Sequence, residues 1–370
     1  MITILPPEPT KPPAIFAAML DRAFGECWIR LMFASTVKMH WPHSTLAVYF
    51  RDDRPYKRDM IACCPYVDHI IPVTPDHARG VALDLFYAAA DRFEMPSSKE
   101  FVAHGYAASD LILTPHSMLE IDLLRYPTWP QFRLPADRRA ELLAAMEAAG
   151  LRPDKPHVVI HYRDASYPLR PDTPYRSVTS DEPFLTLANY LIYGLGLTVV
   201  RIGNPEMRAW PTQQGNLINL SRAPFLVQVA AISTARFCVM TMGGPASIPN
   251  AFGVPSMVSN AVGYAASGAD PGFLLPKSLV DGDGNPMPLQ DIIAAGGWTS
   301  EACWHNSKAG ARFLDNTTDE LKAGVEQLML QTYPWSGGWR EPQQPPHHIR
   351  PQPYAPRAPF VRSVNVMFPE

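Results

Sequence analysis

The chain has 370 residues, a formal net charge of −3, and is 46% hydrophobic and 18% charged. That length suits two ordinary domains, each able to bury its own core, and the near-neutral charge gives no basic footprint for nucleic acid. No run reaches the roughly 18 apolar residues of a membrane span, and Met1-Ile2-Thr3-Ile4-Leu5-Pro6-Pro7 lacks the regions of a signal peptide, so a cytoplasmic protein without a transmembrane segment is expected.

The first elements alternate. Ala14–Leu20 reads as a strand, although its alanines would suit a helix equally well, and a helix is expected at about 27–40. The strand Leu46–Phe50 follows, then a strand from Val67 to Val73 after the turn at Pro65-Tyr66. Helices are expected near 79–93 and 116–125, with the short strand Asp110–Leu113 between them. This is the βαβα pattern that builds a parallel sheet with helices on its faces.

A second half begins with a helix over Pro135–Leu151, ended by Gly150. The alternation then repeats: a strand at 157–162, a helix at 182–194, the strand Leu197–Ile202, a helix at 224–233, the strand Phe237–Met240 and a helix near 246–252 leading into Pro255–Val258. A final helix at about 317–332 opens on Asn316-Thr317-Thr318-Asp319-Glu320, with a capping residue and acidic groups facing the helix dipole. From Pro334 onward prolines recur too often for regular helix or central strand. The expected fold class is α/β, with two Rossmann-like doubly wound domains facing a cleft: residues 1–134, residues 135–333, and a Pro-rich C-terminal tail at 334–370, either extended over the body or disordered.

In such sheets ligands sit at the carboxyl ends of the strands. The 157–162 strand runs into His161-Tyr162-Arg163-Asp164, a polar stretch expected to project into the cleft. Arg163 offers a rigid fork for phosphate oxygens that His161 and Asp164 would orient, or else it forms a surface ion pair with Asp164. The next strand ends in Arg201-Ile202-Gly203-Asn204-Pro205-Glu206, where Gly203 permits close backbone approach and Asn204 tolerates unusual dihedrals; a plain turn is the alternative. The third ends in Met242-Gly243-Gly244-Pro245-Ala246-Ser247, and its two glycines before a helix start would expose backbone N–H groups to an anion.

From about Pro156 to the helix at 317–332, the chain resembles a family of bacterial glycosyltransferases of the GT-B class. The resemblance rests on His161-Tyr162-Arg163-Asp164, Tyr175-Arg176-Ser177, Arg201-Ile202-Gly203-Asn204-Pro205-Glu206-Met207, Gly253-Val254-Pro255 and Leu275-Pro276-Lys277. The His-x-Arg element is similar to that of fucosyltransferases of this fold, in which the arginine holds the diphosphate of GDP-fucose. The N-terminal half resembles the acceptor domain of heptosyltransferases through Phe24-Gly25-Glu26 and Cys64-Pro65-Tyr66-Val67-Asp68. This likeness implies that Glu26 is the general base for an acceptor hydroxyl; an ordinary helix-start glutamate is the other reading. One departure stands out: heptosyltransferases carry Asp-Ser/Thr-Gly-Pro where this chain has Met242-Gly243-Gly244-Pro245, with Ser247 in place of their histidine. A carboxylate that would touch the donor sugar is missing, which argues against a heptose donor and leaves open a degenerate site.

Other signals point away from alternatives. Asp281-Gly282-Asp283-Gly284-Asn285 looks like a metal loop, but Pro286 stands where a calcium loop needs glycine, so a tight turn is expected. His347-His348 has no companion ligands. The five cysteines, Cys27, Cys63, Cys64, Cys238 and Cys303, have no C-x-x-C spacing and read as buried or incidental thiols. No Walker loop, G-x-G-x-x-G or G-x-S-x-G is present. The expectation is a metal-independent glycosyltransferase with no cofactor. Its donor would be a nucleotide sugar and its acceptor a glycan, a lipid-linked sugar or a protein. The donor is placed on Arg163, His161, Arg176, Arg201, Gly203, Asn204, Gly243, Gly244 and Ser247, with Arg163 and Glu26 catalytic. Two rivals remain: a GT-B-fold binding or scaffold protein without catalysis, and a Rossmann-type oxidoreductase that lacks its glycine fingerprint.

Overall fold

The structure is a computed structural model, and it describes residues 14–19, 24–73, 111–113, 130–152, 155–164, 174–208, 210, 216–262, 272–294 and 312–333. The helices expected near 79–93 and 116–125, Cys303, His347-His348 and the segment from 334 fall outside these residues. The chain divides into two compact units between Ala136 and Asp137.

In the first unit β1 (Ala14–Met19), β2 (Thr45–Arg51), β3 (His69–Val73) and β4 (Leu111–Leu113) form a parallel sheet of order β3-β2-β1-β4. The ambiguous alanine-rich segment is β1, an inner strand whose residues from Ile15 to Met19 are at most 1% exposed. A strand covered on both faces needs a continuous apolar run, which this segment supplies. Helix α1 (Phe24–His40) follows and buries Trp28, Leu31, Ala34 and Val37. A helix that the sequence reading passed over, α2 (Pro55–Ala62), starts with proline at a position where a missing N–H costs nothing. Its polar look came from Lys57, which is 1% exposed and pairs with Asp53 at 2.7 Å; Asp53 also accepts from Arg51 Nε at 2.7 Å. Burial pushes the Asp53 carboxyl up, but the two cations outweigh it and leave the pKa below its ordinary value.

The second unit is built on a six-stranded parallel sheet of β5 (His157–His161), β6 (Thr198–Arg201), β7 (Leu217–Asn219), β8 (Phe237–Thr241), β9 (Ser256–Ala261) and β10 (Gly272–Pro276), in the order β10-β9-β8-β5-β6-β7. On one face Val158, Ile160, Tyr162, Val199, Val239, Met257 and Phe273 pack with two helices. Phe184, Leu187 and Leu191 come from α4 (Glu182–Asn189) and its continuation, and Leu321, Val325 and Leu328 from α8 (Thr318–Gln331). A Cβ at Gly324 would collide with the Met257 sulfur, so glycine lets α8 lie close on β9. The opposite face meets α5 (Phe225–Ser233), where His157 Nε2 donates to Ala231 O at 2.8 Å; α5 packs in turn on α3 (Arg139–Ala148).

Several expected elements are shorter than read. Helix α3 occupies only Arg139–Ala148 of the span 135–151, and Gly150 at φ +86° closes it. Residues 190–194 continue α4 as a wide π turn, in which the Leu195 amide reaches back to Tyr190 O. The helix near 246–252 is a tight turn at Gly244–Ser247 followed by α6 (Ile248–Ala251). Short pieces were missed altogether: β7, β10, α7 (Leu289–Ala294) and the antiparallel pair β11 (Ser278–Val280) and β12 (Arg312–Leu314). Asp281–Asn285 is a turn, as expected, with Asp281 Oδ1 accepting from the amides of Asp283 and Asn285.

The start of α8 matches its sequence signal. Thr317 Oγ1 accepts from the Glu320 amide while Glu320 Oε2 accepts from the Thr317 amide at 2.7 Å. Thr317→Ala is expected to cost about 1 kcal/mol of stability, read as a lowered urea midpoint with an unchanged slope.

Candidate functional site

In the second sheet the chain moves outward from β5 to β6 and β7, then returns to the other side of β5 with β8. Loops leaving the carboxyl ends of β5 and β8 therefore diverge, and such a switch point is where open parallel sheets take their ligands. Two bonds hold this place together. The Arg163 amide, just past β5, donates to Thr241 Oγ1 at the end of β8 at 2.8 Å, and the Val178 amide donates to Arg163 O at 2.8 Å. The turn carrying Tyr175, Arg176 and Ser177 is thereby laid against Arg163. Among the described residues Arg176 forms no ion pair, and its buried Nε has no hydrogen-bond partner.

The expectation that the whole stretch from His161 to Asp164 projects outward is corrected: only Arg163 and Asp164 are half-exposed. His161 is 7% exposed, and its Nδ1 has no hydrogen-bond partner among the described residues. Burial, reinforced by the nearby Arg201 charge, pulls its pKa down to about 4, so the ring is neutral at neutral pH. Tyr162, on the other face, is fully buried between Phe184 (centroids 4.9 Å apart) and Trp210 (5.9 Å). Its hydroxyl accepts from Trp210 Nε1 at 2.7 Å and from Arg201 Nη2 at 3.2 Å.

Arg201 is a second correction. It was expected to reach a ligand directly, yet it is 1% exposed, with its guanidinium carbon 5.3 Å from the Tyr162 ring centroid and 5.0 Å from that of Trp210. Aromatic faces attract a cation, and an outward strand-end arginine cannot be told in sequence from one that folds back over a ring. Burial pulls its pKa below the ordinary value, and among the described residues it forms no ion pair. Beyond it, Gly203 adopts φ +147° and its amide donates to Gln228 Oε1 at 2.9 Å; a Cβ there would collide with the Met207 sulfur. Asn204 closes a small turn by accepting from the Glu206 amide at 3.0 Å. The Arg208 amide donates to Asp164 Oδ2 at 3.1 Å, tying the loop after β6 to the loop after β5.

At the end of β8, Gly243 and Gly244 are half-exposed and Ser247 is buried. Met242 turns its sulfur toward β9, accepting from the Val262 amide at 3.3 Å. Sequence reasoning gave no role to Lys277 or Asp315, which form a buried ion pair beside the Arg176 turn. Their sequence signals are a lysine after the apolar run Phe273–Pro276 and the place of Leu275-Pro276-Lys277 in the family resemblance, neither of which points to the pair. In the first unit Glu26 is exposed on the first turn of α1, after the carboxyl end of β1, where β4 returns to the far side of β1 and creates that sheet's own switch point. Among the described residues no group of three or more His, Cys, Asp or Glu is placed to hold a metal.

The neutral His161 sets a pH dependence. Between pH 6.5 and about 4 the unfolded chain binds a proton here that the folded chain rejects, so this contribution is lost as pH falls through that window. The loss is on the order of 3 kcal/mol. Urea unfolding of wild type and His161→Gln from pH 7 to pH 4 is expected to show a smaller decline in the variant.

No family model matches the chain, and no curated protein matches it. Solved structures do. A family 9 glycosyl transferase from Veillonella parvula is 12% identical, covering 86% of this chain and 98% of its own, with a TM-score of 0.53. The ADP-heptose LPS heptosyltransferase II of E. coli is 15% identical, covering 86% of this chain and 99% of its own, with a TM-score of 0.52. At such identities the likeness is one of fold: this chain shares the parallel α/β architecture of these glycosyltransferases.

Proposed function

We propose that the protein is a glycosyltransferase of the GT-B kind, with domains at 1–134 and 135–333, that moves a sugar from a nucleoside diphosphate to an acceptor hydroxyl. The observation that carries this reading is the switch point of the second sheet, where backbone bonds hold Arg163 and the Arg176 turn against each other and Arg176 lacks a counterion among the described residues. An arginine just past β5 and another in the turn laid against it suit a diphosphate, whose leaving-group charge they would stabilise as the glycosidic bond breaks. Gly243 and Gly244 add backbone N–H donors on the β8 side. Arg201, enclosed by rings, contributes its field without touching the donor. Positive charge from arginines makes the reaction metal-independent in this scheme. Glu26, at the switch point of the other sheet, takes the proton from the acceptor hydroxyl as it attacks.

The solved relatives support the reaction class, and the E. coli relative's description names ADP-heptose. The His161-x-Arg163 element favours a GDP-fucose-like donor instead, and Met242 offers no carboxylate to a heptose. One observation favours a second reading, a nucleotide-binding protein of the same fold without catalysis: Met242 spends its sulfur on the Val262 amide where heptosyltransferases carry an acid. Turnover separates the two, since only an enzyme releases sugar from the donor.

Calorimetry with GDP, UDP, ADP, CMP and NAD tests the donor site. One nucleoside diphosphate is expected to bind, and Arg163→Ala is expected to weaken it about tenfold to a hundredfold, the worth of one charge-assisted bond. Unchanged affinity in the folded variant would remove Arg163 from the site, and absence of any nucleotide binding would sink the whole reading. For Glu26→Gln, kcat is expected to fall at least about a hundredfold, as loss of a general base does, while nucleotide affinity stays at the wild-type value.

A further inference from the structure

Among the described residues between Asp164 and α4, the regular structure is the single tight turn Pro174–Arg176. Its next three residues are nevertheless each bonded. Ser177 O accepts from Lys277 Nζ at 2.8 Å, the Val178 amide donates to Arg163 O at 2.8 Å, and the Thr179 amide and hydroxyl both donate to Asp315 Oδ2 at 2.6 Å. Lys277 and Asp315 also pair with each other at 2.6 Å.

The pair stands on rigid supports. Lys277 follows directly after β10, and Asp315 lies between β12 and the capped start of α8. Asn316 beside it exchanges bonds with Asn260: the Asn260 amide donates to Asn316 Oδ1 at 2.5 Å, and the Asn316 amide donates to Asn260 Oδ1 at 2.8 Å. Asn316 Nδ2 donates to Pro276 O at 2.8 Å. Asn260 is the described non-glycine residue with positive φ, at +50°, and the β9–β10 register shifts at this point. A bulge with a left-handed residue at a strand's end re-aims the chain and is held only where its surroundings enforce it.

Lys277 is 4% exposed, and burial pulls its ammonium below the ordinary value even though Asp315 opposes the shift. Burial pushes the Asp315 carboxyl up, yet Lys277 and the two Thr179 donors more than offset it and hold it below its usual range. A buried ion pair is weak support for stability, because apolar residues of the same shape serve as well without desolvating two charges. What an apolar pair cannot do is bond the backbone of residues 177 and 179.

The geometry points to Lys277 and Asp315 as positioning residues for the nucleoside diphosphate, fixing residues 177–179 so that Arg176 stands beside Arg163. This inference rests on the donor-site reading given above. Neither residue need touch the ligand.

The test uses the full chain and calorimetry with the nucleoside diphosphate that the wild type binds, on Lys277→Met, Thr179→Val, Thr179→Ser and Arg176→Ala, with thermal unfolding run in parallel. Thr179→Val, a surface change that removes the hydroxyl donor to Asp315 and leaves the Thr179 amide and Lys277 in place, is expected to weaken binding about fivefold to tenfold, the worth of one ordinary hydrogen bond. Thr179→Ser, which keeps the hydroxyl, should stay within about twofold by the same measure. Lys277→Met should weaken binding more than Thr179→Val, and the latter decides alone if the former does not fold. The decisive readout is non-additivity: in an Arg176→Ala background both changes should lose most of their effect, because groups that act through one another do not add. Full additivity, or unchanged affinity in folded Thr179→Val, overturns the positioning role while leaving the donor site intact if Arg176→Ala still binds poorly. A wild type that binds no nucleoside diphosphate overturns both.

Discussion

The bond from the Arg163 amide to the Thr241 hydroxyl is the joint on which the second unit's site depends. A parallel sheet whose chain reverses its direction of travel leaves two neighbouring strands with loops that run apart. At β5 and β8 that separation begins with Tyr162 and Met242, and a fully buried threonine hydroxyl spans it. The same arginine's carbonyl is taken by Val178, so both backbone groups of one residue are satisfied by segments remote in sequence. Such double satisfaction turns a loop position into a fixed one, and the guanidinium inherits its placement from the backbone.

Two strand-end clusters, one in each unit, hold their buried cations in different ways. In the first, Lys57 and Arg51 share Asp53, so one carboxylate offsets part of their charge. In the second, Arg201 faces the rings of Tyr162 and Trp210 and donates to a phenol, which holds the cation without cancelling its charge. Nearby His161 is kept neutral, partly by that same charge. The end of the second sheet is thus left positive, by a choice of aromatic neighbours rather than by an excess of basic residues in a chain whose net charge is −3. Local arrangement, not composition, sets the charge that an aromatic-lined arginine presents.

Much of the fold was legible because its longer strands are apolar runs and its helices carry ordinary signals. The run from His157 to Ile160, the Phe237–Met240 strand and the Thr317 cap all stand where periodicity and capping chemistry put them. Of the three-residue strands, β4 was legible as the all-apolar run Leu111–Leu113, whereas β7, β11 and β12 carry polar residues in a run too short to show a period. Helix α2 was hidden by its charges, because Lys57 looks exposed until Asp53 is seen beside it. At the site, the positions at strand ends could be read, but side-chain direction could not. His161 and Tyr162 alternate across the sheet, and whether Arg201 reaches outward or folds back depends on Trp210, nine residues further on. The Lys277–Asp315 pair is a contact between residues far apart in the chain, which no local pattern announces.

The cysteines carry one more consequence. Among the described residues, Cys27, Cys63, Cys64 and Cys238 are buried. Burial lifts the Cys64 thiol to about 11, Cys63 higher still, and Cys238 well above the ordinary value, so hardly any thiolate is present at neutral pH. Three of the four belong to one unit and Cys238 lies on the central β8 of the other, so alkylation at each position acts as a silent chemical clock that counts the openings exposing that thiol.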